Sequence, residues 1–197
     1  PVRFIGNHSS GKMGFEIAKA ASNLGAEVRL ITGPTHQKIS SNLITVIPVV
    51  SAQEMYEQVH QFYGNCDIAI LSAAVADYKI KVISNQKIKK EEHSLTLELE
   101  KTQDILASLG KLKNNQLLVG FALETDNEIT NAIKKLKNKN LDLIVLNSLS
   151  DKGAGFGTNT NKVTLIKRDL STTNFPLKSK AEVSKDILNE ILKLIDA

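Results

Sequence analysis

The first residues whose types and spacing suggest chemistry are residues 6–14, with the sequence GNHSSGKMG. Glycines, serines and a lysine directly before a helix-forming stretch are typical of an anion site, because free backbone N–H groups point at the ligand there. Gly6, Gly11 and Lys12 nearly have the spacing of a nucleotide-binding P-loop, but Met13 stands where that loop needs a hydroxyl for Mg²⁺. A P-loop hydrolase is therefore disfavoured, while a glycine-rich loop without a ligand stays open as the alternative.

A second candidate segment, residues 72–77 (SAAVAD), follows a continuous apolar run at residues 67–71. Small side chains at the carboxyl end of a strand let a flat base or a sugar approach the backbone, and Asp77 adds a carboxylate for ribose hydroxyls or a metal. The alternative is that the alanines only pack tightly and Asp77 caps a helix or turn. No G-x-G-x-x-G fingerprint is present, which disfavours an ordinary NAD dehydrogenase.

Lysines supply the remaining candidate chemistry. Residues 87–90 (KIKK) and the lysine-rich stretch at residues 134–139 would neutralise phosphate charge, although most lysines of this kind are solvated surface or complement a helix dipole. The four histidines have no metal-ligand spacing, and no Ser/His/Asp set is legible. Glu124 ends an apolar run and so falls at the carboxyl end of another predicted strand.

The elements that must position these residues alternate along the chain. The pattern predicts helices at residues 15–24, 51–63, 102–112, 128–139 and 180–195, and strands at residues 27–32, 43–50, 67–71, 117–121 and 141–146. Residues 163–167 and 174–177 predict a hairpin near the C-terminus. Strands separated by helices of this length indicate βαβ units, so we expect an α/β fold: a Rossmann-like three-layer sandwich with a mostly parallel sheet and a small C-terminal β addition.

Composition excludes several classes of protein. The 197 residues are 42% hydrophobic and 23% charged, which is normal for a folded domain, and the single cysteine rules out a disulfide framework or a cysteine-based zinc site. Aromatic residues make up only 5% and the net charge is +4, so we expect no nucleic-acid partner. No apolar run reaches the roughly 18–20 residues of a membrane span and no signal peptide is visible, so we expect no membrane partner and a cytoplasmic location.

Taken in order, the motifs resemble those of the phosphopantothenoylcysteine synthetase family of coenzyme A biosynthesis. The resemblance rests on residues 2–5 (VRFI), 7–14 (NHSSGKMG), 73–78 (AAVADY), 87–90 (KIKK), 102–106 (TQDIL), 120–125 (GFALET), 139–142 (KNLD), 147 and 156–161. Each piece alone is weak, but the ordered set spans nearly the whole chain. NHSSGKMG and AAVADY are its most specific parts.

The resemblance implies a ligase that joins the carboxylate of 4′-phosphopantothenate to the amine of L-cysteine. In bacterial members CTP activates the carboxylate as an acyl-cytidylate, pyrophosphate leaves, and cysteine then displaces CMP. It further implies a requirement for Mg²⁺, whose ligands the sequence does not identify, and a homodimer. A flavin decarboxylase domain is often fused at the N-terminus of such proteins, but nothing here matches it, so no FMN is expected in this domain.

The same resemblance assigns residues to roles. Asn7 and Lys87 match the family's catalytic residues: Lys87 is needed to form the acyl-nucleotide, and Asn7 acts on that intermediate and its attack by cysteine. The nucleotide pocket is matched by Ala73, Ala74, Asp77, Lys87, Asp104, Ile105, Leu106, Phe121, Lys135 and Lys139, of which Lys135 and Lys139 match triphosphate contacts. The substrate segment is matched by Arg3, Asn7, His8, Ser9, Ser10 and Gly11.

One departure concerns the start of the fold. Residues 1–197 are expected to form one synthetase domain, but the family places a strand and a glycine-rich turn just before the position of Pro1. A sheet without that strand should be unstable or inactive. Two further functions remain as alternatives: a nucleotide-binding module without catalysis, which would bind CTP and form no product, and an NAD(P)-dependent reductase, which would bind a nicotinamide dinucleotide.

Overall fold

Helices and strands alternate along most of the chain in the computed structural model, which describes residues 5–83, 96–148 and 158–195. The helices within these ranges are α1 (Lys12–Asn23), α2 (Ala52–Tyr63), α3 (Ile105–Leu112), α4 (Glu128–Asn138) and α5 (Lys180–Ile195). None of them is long and apolar enough to cross a membrane. The strands are β1 (Val28–Thr32), β2 (Ile44–Pro48), β3 (Ile68–Leu71), β4 (Tyr78–Ile80), β5 (Leu99–Lys101), β6 (Leu117–Glu124), β7 (Leu143–Ser148), β8 (Thr160–Asn161), β9 (Val163–Lys167), β10 (Thr172–Asn174) and β11 (Lys178–Ser179).

A five-stranded sheet in the order β10-β9-β7-β6-β3 forms the middle layer. Strands β3, β6 and β7 are parallel, while β9 and β10 run antiparallel at the far edge. The C-terminal hairpin predicted from the sequence therefore extends the central sheet, and β8 pairs with β11 in a small separate ribbon. The expected α/β fold with a mainly parallel sheet is confirmed.

Helices cover both faces of this sheet. One core lies under α3 and α4 and includes Leu109, Leu136 and Ile144, while the other lies under α1 and α5 and includes Ile17, Val145 and Ile187. Alternate residues of β7 enter opposite cores, because successive side chains of a strand point to opposite faces. Strands buried on both faces read as continuous apolar runs, which is why the sequence LDLIVL predicts β7.

Strands β1 and β2 pair with each other and with no strand of the central sheet. The sequence predicts that β3 is a buried parallel strand, but every residue of β3 is only half-buried. The parallel pairing is confirmed and only the burial differs, because β3 pairs with β6 along one edge and no other described strand pairs with it. Among the described strands, β1 pairs only with β2.

The same two helices nevertheless cover β1 and β3. Helices α1 and α2 both contact β1. Ile68 and Ile70 of β3 pack against the core that contains residues of α1, whereas Ala69 and Leu71 pack against the core that α2 borders. Strands β1 and β3 thus lie between the same two helices without pairing.

A buried ion pair fixes the start of β6 to the start of β7. Lys113, just after α3, pairs with Asp142, and their side chains are 7% and 14% exposed. Asp142 also accepts a hydrogen bond from the backbone N–H of Leu118 at 2.8 Å. The guanidinium of Arg168 also approaches Asp142 at 3.5 Å, but its side chain is 65% exposed and screened by solvent. Removing Lys113 would leave the Asp142 carboxylate without its buried partner, so this contact is costly to break.

We expect Lys113→Met to lower the free energy of unfolding by about 3 kcal/mol, because the Asp142 carboxylate stays buried without its ammonium partner. The matched control is Lys81→Met, since Lys81 pairs with Glu98 at a site where the side chains are 49% and 68% exposed. An exposed pair of this kind contributes less than about 1 kcal/mol. Urea unfolding of the two variants measures the difference, and equal losses would contradict the burial argument.

Candidate active site at the carboxyl ends of the strands

The glycine-rich segment leads directly into α1. Gly11 is the N-cap of α1 with φ +75°, a left-handed conformation that favours glycine. The Ser9 and Ser10 hydroxyls accept long hydrogen bonds, 3.4 Å each, from the backbone N–H groups of Gly11 and Lys12. The first turn of α1 carries no acidic side chain, so its positive dipole end is not neutralised from within the helix.

The start of α1 lies against the end of β3. A Cβ atom at Gly14 would stand 3.0 Å from the Ser72 hydroxyl oxygen, which shows how closely the helix backbone approaches the residues after β3. The two segments that the sequence singles out, one before α1 and one after β3, are therefore neighbours.

Asn7 joins these two segments directly. Its side-chain Nδ2 donates to the carbonyl oxygen of Ala74 at 3.1 Å and of Val75 at 3.4 Å. Asn7 and His8 are exposed, as are Ala73 and Asp77. An amide can donate to both carbonyls while its own Oδ1 stays available as an acceptor for a ligand.

Thr35, which follows β1, supports the loop from the other side. Its hydroxyl donates to the carbonyl oxygen of Ser10 at 2.8 Å and accepts from the backbone N–H of Gln37 at 3.1 Å. The sequence gives little sign of this role, because Thr35 belongs to a turn after Gly33 and Pro34. The Thr35 hydroxyl thus anchors the loop at Ser10, the residue before Gly11.

Thr35→Val is expected to speed amide hydrogen exchange at Gly11 and Lys12 by about tenfold, because the isosteric side chain lacks the hydroxyl that makes both hydrogen bonds. Thr35→Ser keeps the hydroxyl and serves as the matched control, so its exchange should stay close to that of the parent protein. Equal exchange in the valine and serine variants would show that the hydroxyl does not hold the loop.

Thr102 fixes the other side of the segment after β3. Its hydroxyl donates to the carbonyl oxygen of Ala76 at 2.7 Å, and its backbone N–H donates to the carbonyl oxygen of Asp77 at 2.9 Å. Two residues later Asp104 caps α3, accepting from the backbone N–H of Ala107 at 2.9 Å. The N-cap of α3 is thus Asp104 and not Asp77.

Two lysines at the end of α4 converge on this place, Lys135 in its last turn and Lys139 at its C-cap. Lys135 donates to the carbonyl oxygen of Phe121 at 2.8 Å, and Lys139 pairs with Asp104 at 2.8 Å. Burial and the nearby charge of Lys139 lower the pKa of Lys135, while Glu124, Asp104 and Asp77 oppose that shift. The two ammonium groups repel each other, and a bound anion would relieve that repulsion.

The pKa of Asp104 is lowered. Partial burial raises it, but hydrogen bonds from Lys139 and from the backbone N–H of Ala107 outweigh burial, helped by the charges of Lys139 and Lys135. Asp104 is therefore ionised at neutral pH and holds Lys139 in place. The cluster carries both signs of charge, and its lysines remain partly accessible, with Lys139 22% exposed.

Three further residues that the resemblance assigns to the nucleotide pocket pack in or against the two cores: Ile105, Leu106 and Phe121. The side chains of Ile105 and Leu106 are buried in the core under α3, so only their backbone groups face outward at the start of the helix. Phe121 is half-buried and packs against the core on the α1 side. Arg3 and Lys87 lie outside the described residues.

No group of three or more histidine, cysteine or acidic side chains that could hold a metal occurs within residues 5–83, 96–148 and 158–195. The acidic residues that influence Lys135 are Asp77, Asp104 and Glu124. Mg²⁺ in nucleotide sites is commonly held by one or two carboxylates together with substrate phosphates. Asp77 and Glu124 fit that mode of binding, whereas Asp104 already pairs with Lys139 and caps α3.

The family model of the DNA/pantothenate metabolism flavoprotein C-terminal domain matches residues 1–195. The chain belongs to this family. The chain is 48% identical over 98% of its length to the coenzyme A biosynthesis bifunctional protein CoaBC of Bacillus subtilis, and 43% identical over 99% of its length to that of Vibrio vulnificus. A third relative, from an unknown prokaryotic organism and 55% identical, bears the name cysteine/cysteine sulfinic acid decarboxylase.

The chain spans about half the length of these curated relatives: 48% of the Bacillus subtilis protein, 49% of the Vibrio vulnificus protein and 55% of the third. Among solved structures, a C-terminal domain of CoaBC is 43% identical and superposes with a TM-score of 0.83, covering 100% of this chain and 89% of that chain. A Cab2 mutant in complex with phosphopantothenate-cysteine is 16% identical with a TM-score of 0.77, and covers 99% of this chain and 80% of that chain, which supports the fold. The resemblance found in the sequence is confirmed at the level of the family.

Proposed function

We propose that this chain is a phosphopantothenate–cysteine ligase that uses CTP. In the first step a carboxylate oxygen of 4′-phosphopantothenate attacks the α-phosphorus of CTP, and pyrophosphate leaves. In the second step the amine of L-cysteine attacks the carbonyl carbon of the acyl-cytidylate and loses a proton. CMP leaves, and its phosphate keeps the oxygen that came from the phosphopantothenate carboxylate. The reaction belongs to coenzyme A biosynthesis, and we place it in the cytoplasm.

The observation that carries the proposal is the junction of the glycine-rich loop before α1 with a lysine cluster. Asn7 ties the loop before α1 to the carbonyl groups of Ala74 and Val75, and Thr102 ties the same segment to the start of α3, where Lys139 meets Asp104. A phosphorylated acid at the loop and a nucleoside triphosphate at the lysines would thus meet at residues 73–77. The family match and the 48% identity to CoaBC support the same substrates.

Chemistry of this kind needs positioning and charge neutralisation rather than a covalent nucleophile. Lys135 and Lys139 would offset the negative charge of the triphosphate, and Asn7 would hold the acyl group for attack by cysteine. Lys87, assigned from the resemblance, would act on the α-phosphate when the acyl-cytidylate forms, and Arg3 would contact phosphopantothenate. Mg²⁺ bound to the nucleotide would supply further charge neutralisation, with Asp77 or Glu124 as its protein ligand.

We also propose that a further parallel strand lies between β1 and β3 in the complete protein. Both strands lie under α1 and α2, and each has one edge that no described strand pairs with. A strand that precedes α1 and runs parallel to β1 would form the usual right-handed crossover. It would unite the separate two-stranded and five-stranded sheets into one.

A homodimer is part of the proposal, and the β4–β5 ribbon supports it. Its strands and flanks expose large apolar side chains: Tyr78 by 47%, Val82 by 75%, Ile83 by 74%, Leu97 by 46% and Leu99 by 42%. A cluster of exposed apolar side chains is typical of a protein–protein interface. Sedimentation equilibrium at twice the single-chain mass would support a dimer, and a single-chain mass at micromolar concentration would contradict it.

The experiment for the proposed function is an amide-forming assay on the protein expressed at the full length of its gene. Phosphopantothenate, L-cysteine, Mg²⁺ and either CTP or ATP are supplied, and phosphopantothenoylcysteine and pyrophosphate are quantified by mass spectrometry. We expect product with CTP far above that with ATP. Binding of CTP without product would favour a nucleotide-binding module, and release of CO₂ from free cysteine would favour the activity named for the third relative.

A further inference from the structure

Helix α3 and the end of α4 touch through their backbones at Gly110. A Cβ atom placed on Gly110 would stand 2.0 Å from the carbonyl oxygen of Lys139 and 2.8 Å from its carbonyl carbon. Real Cβ atoms do not approach backbone atoms so closely, so any other residue at this position must push the two helices apart. Glycine inside a helix lowers stability by roughly 0.5–1 kcal/mol relative to alanine. The close approach of Lys139 explains why glycine nevertheless occupies this position.

Asn140 closes the same contact from the side of α4. It adopts φ +53°, and its Nδ2 donates to the carbonyl oxygen of Gly110 at 3.0 Å. Lys113 donates in turn to the carbonyl oxygen of Asn140 at 3.3 Å, which links the contact to the buried pair with Asp142. The position of Lys139 along α3 is thereby fixed by backbone contact and by side-chain hydrogen bonds on both sides.

This contact determines where the Lys139 ammonium stands. The backbone of Lys139 lies beside Gly110 in the last turn of α3, yet its Nζ lies 2.8 Å from Asp104 at the N-cap of the same helix. The side chain therefore runs back along α3 towards its first turn. Displacing the backbone of Lys139 outward would withdraw the ammonium from Asp104 and from its neighbour Lys135.

We propose that Gly110 is a positioning residue for nucleotide binding, because its missing side chain lets α4 place the Lys139 ammonium at the start of α3. This inference rests on the proposed function, in which Lys135 and Lys139 meet the triphosphate. A glycine that served packing alone would affect stability when replaced, without moving the Lys139 ammonium relative to Asp104. The two roles therefore differ in what they predict for a folded variant.

The test compares Gly110→Ala with Gly64→Ala in the full-length protein. A Cβ at Gly64, the C-cap of α2 with φ −62°, meets nothing within 4 Å, so alanine fits there without strain. For Gly110→Ala we expect KM for CTP to rise about tenfold while kcat changes less than about twofold, since binding of the nucleotide is what the displaced ammonium weakens. Gly64→Ala should leave both constants unchanged.

A second readout follows the Asp104 carboxyl by carbon-13 NMR. Asp104 is surrounded by Lys139 and Lys135 from α4 and by the backbone N–H of Ala107 from its own helix, and its pKa is lowered. In Gly110→Ala we expect that pKa to rise towards its ordinary value, because the hydrogen bond from Lys139 is lost. An unchanged KM together with an unchanged Asp104 titration in the folded variant would overturn the proposal.

If Gly110→Ala does not fold, Asn140→Gly tests the same proposal. Glycine accepts φ +53° and removes only the hydrogen bond to the carbonyl oxygen of Gly110. We expect a rise of about fivefold in KM for CTP and an upward shift of the Asp104 pKa. The absence of both changes would overturn the proposal. The NMR readout needs no turnover, so a parent protein without ligase activity would refute the proposed function while leaving the placement of Lys139 testable.

Discussion

Asn7→Asp is expected to reduce amide formation by at least about 100-fold while acyl-cytidylate accumulates. The Asn7 amide nitrogen donates to the carbonyl oxygens of Ala74 and Val75. An aspartate has only acceptor oxygens at neutral pH, so it would face two carbonyl oxygens with no proton to share. The contact between the loop and residues 73–77 would be lost, and the acyl group would no longer be held for attack by cysteine.

The measurement is a quenched-flow reaction in which acyl-cytidylate and amide product are separated by mass spectrometry. Asn115→Asp is the matched control, since Asn115 is exposed in the turn before β6, at the amino ends of the parallel strands and away from the candidate site at their carboxyl ends. It should turn over normally. Normal turnover of Asn7→Asp would show that Asn7 has no role in the second step. An equal loss of rate in acyl-cytidylate formation and in amide formation would indicate that the loop serves the first step as well.

The second large effect concerns the space between β1 and β3. In the full-length protein we expect amide exchange within these two strands to be at least about 100-fold slower than in a chain of residues 1–197, because a strand placed between them protects both open edges. Burial of β3 should also rise from its present half-buried state. The side chains buried by such a strand would stabilise the fold by about 1.5–3 kcal/mol each.

The control for this comparison is β10, which lies at the opposite edge of the central sheet. Its exchange should be similar in both lengths, since the proposed strand does not reach it. Equal protection of β1 and β3 in the two lengths would contradict the proposal of a strand between them. Faster exchange throughout the short chain, including β10, would instead point to a general loss of stability.

The sequence predicts much of the fold because apolar periodicity is strong where strands and helices are buried. Helix α5 begins at Lys180 and ends at Ile195 as expected, and β9 spans Val163–Lys167 as expected. Ser51 and Glu54 also have the spacing of a capping box, and half of it forms: the Ser51 hydroxyl accepts from the backbone N–H of Glu54 at 3.1 Å. The Glu54 carboxylate accepts from the backbone N–H of Val50 at 2.8 Å instead of from that of Ser51.

Errors occur where tertiary contacts override local pattern. The helix predicted over residues 102–112 begins only at Ile105, because Thr102 binds the segment after β3 and Asp104 serves as the cap. The last strand of the hairpin falls at Thr172–Asn174 rather than at residues 174–177, since the turn before it places Leu170 at φ +68°, a conformation that leucine does not signal.

In the candidate site, the residue types identify the segments that carry chemistry but not the residues that position those segments. The loop before α1, the segment after β3 and the lysines of α4 carry recognisable chemistry. Thr35 and Gly110 do not, because one acts through a single hydroxyl across 25 positions of the chain and the other through the absence of a side chain. Only the folded geometry shows these two contributions.

The most direct measurement follows a labelled oxygen through the reaction. Phosphopantothenate carrying ¹⁸O in its carboxylate is supplied with CTP, Mg²⁺ and L-cysteine to the full-length protein, and CMP is examined by mass spectrometry. Activation as an acyl-cytidylate predicts one labelled oxygen in the phosphate of CMP for every amide formed. Label in inorganic phosphate or pyrophosphate, or amide formation that leaves CMP unlabelled, would contradict the proposed ligase mechanism.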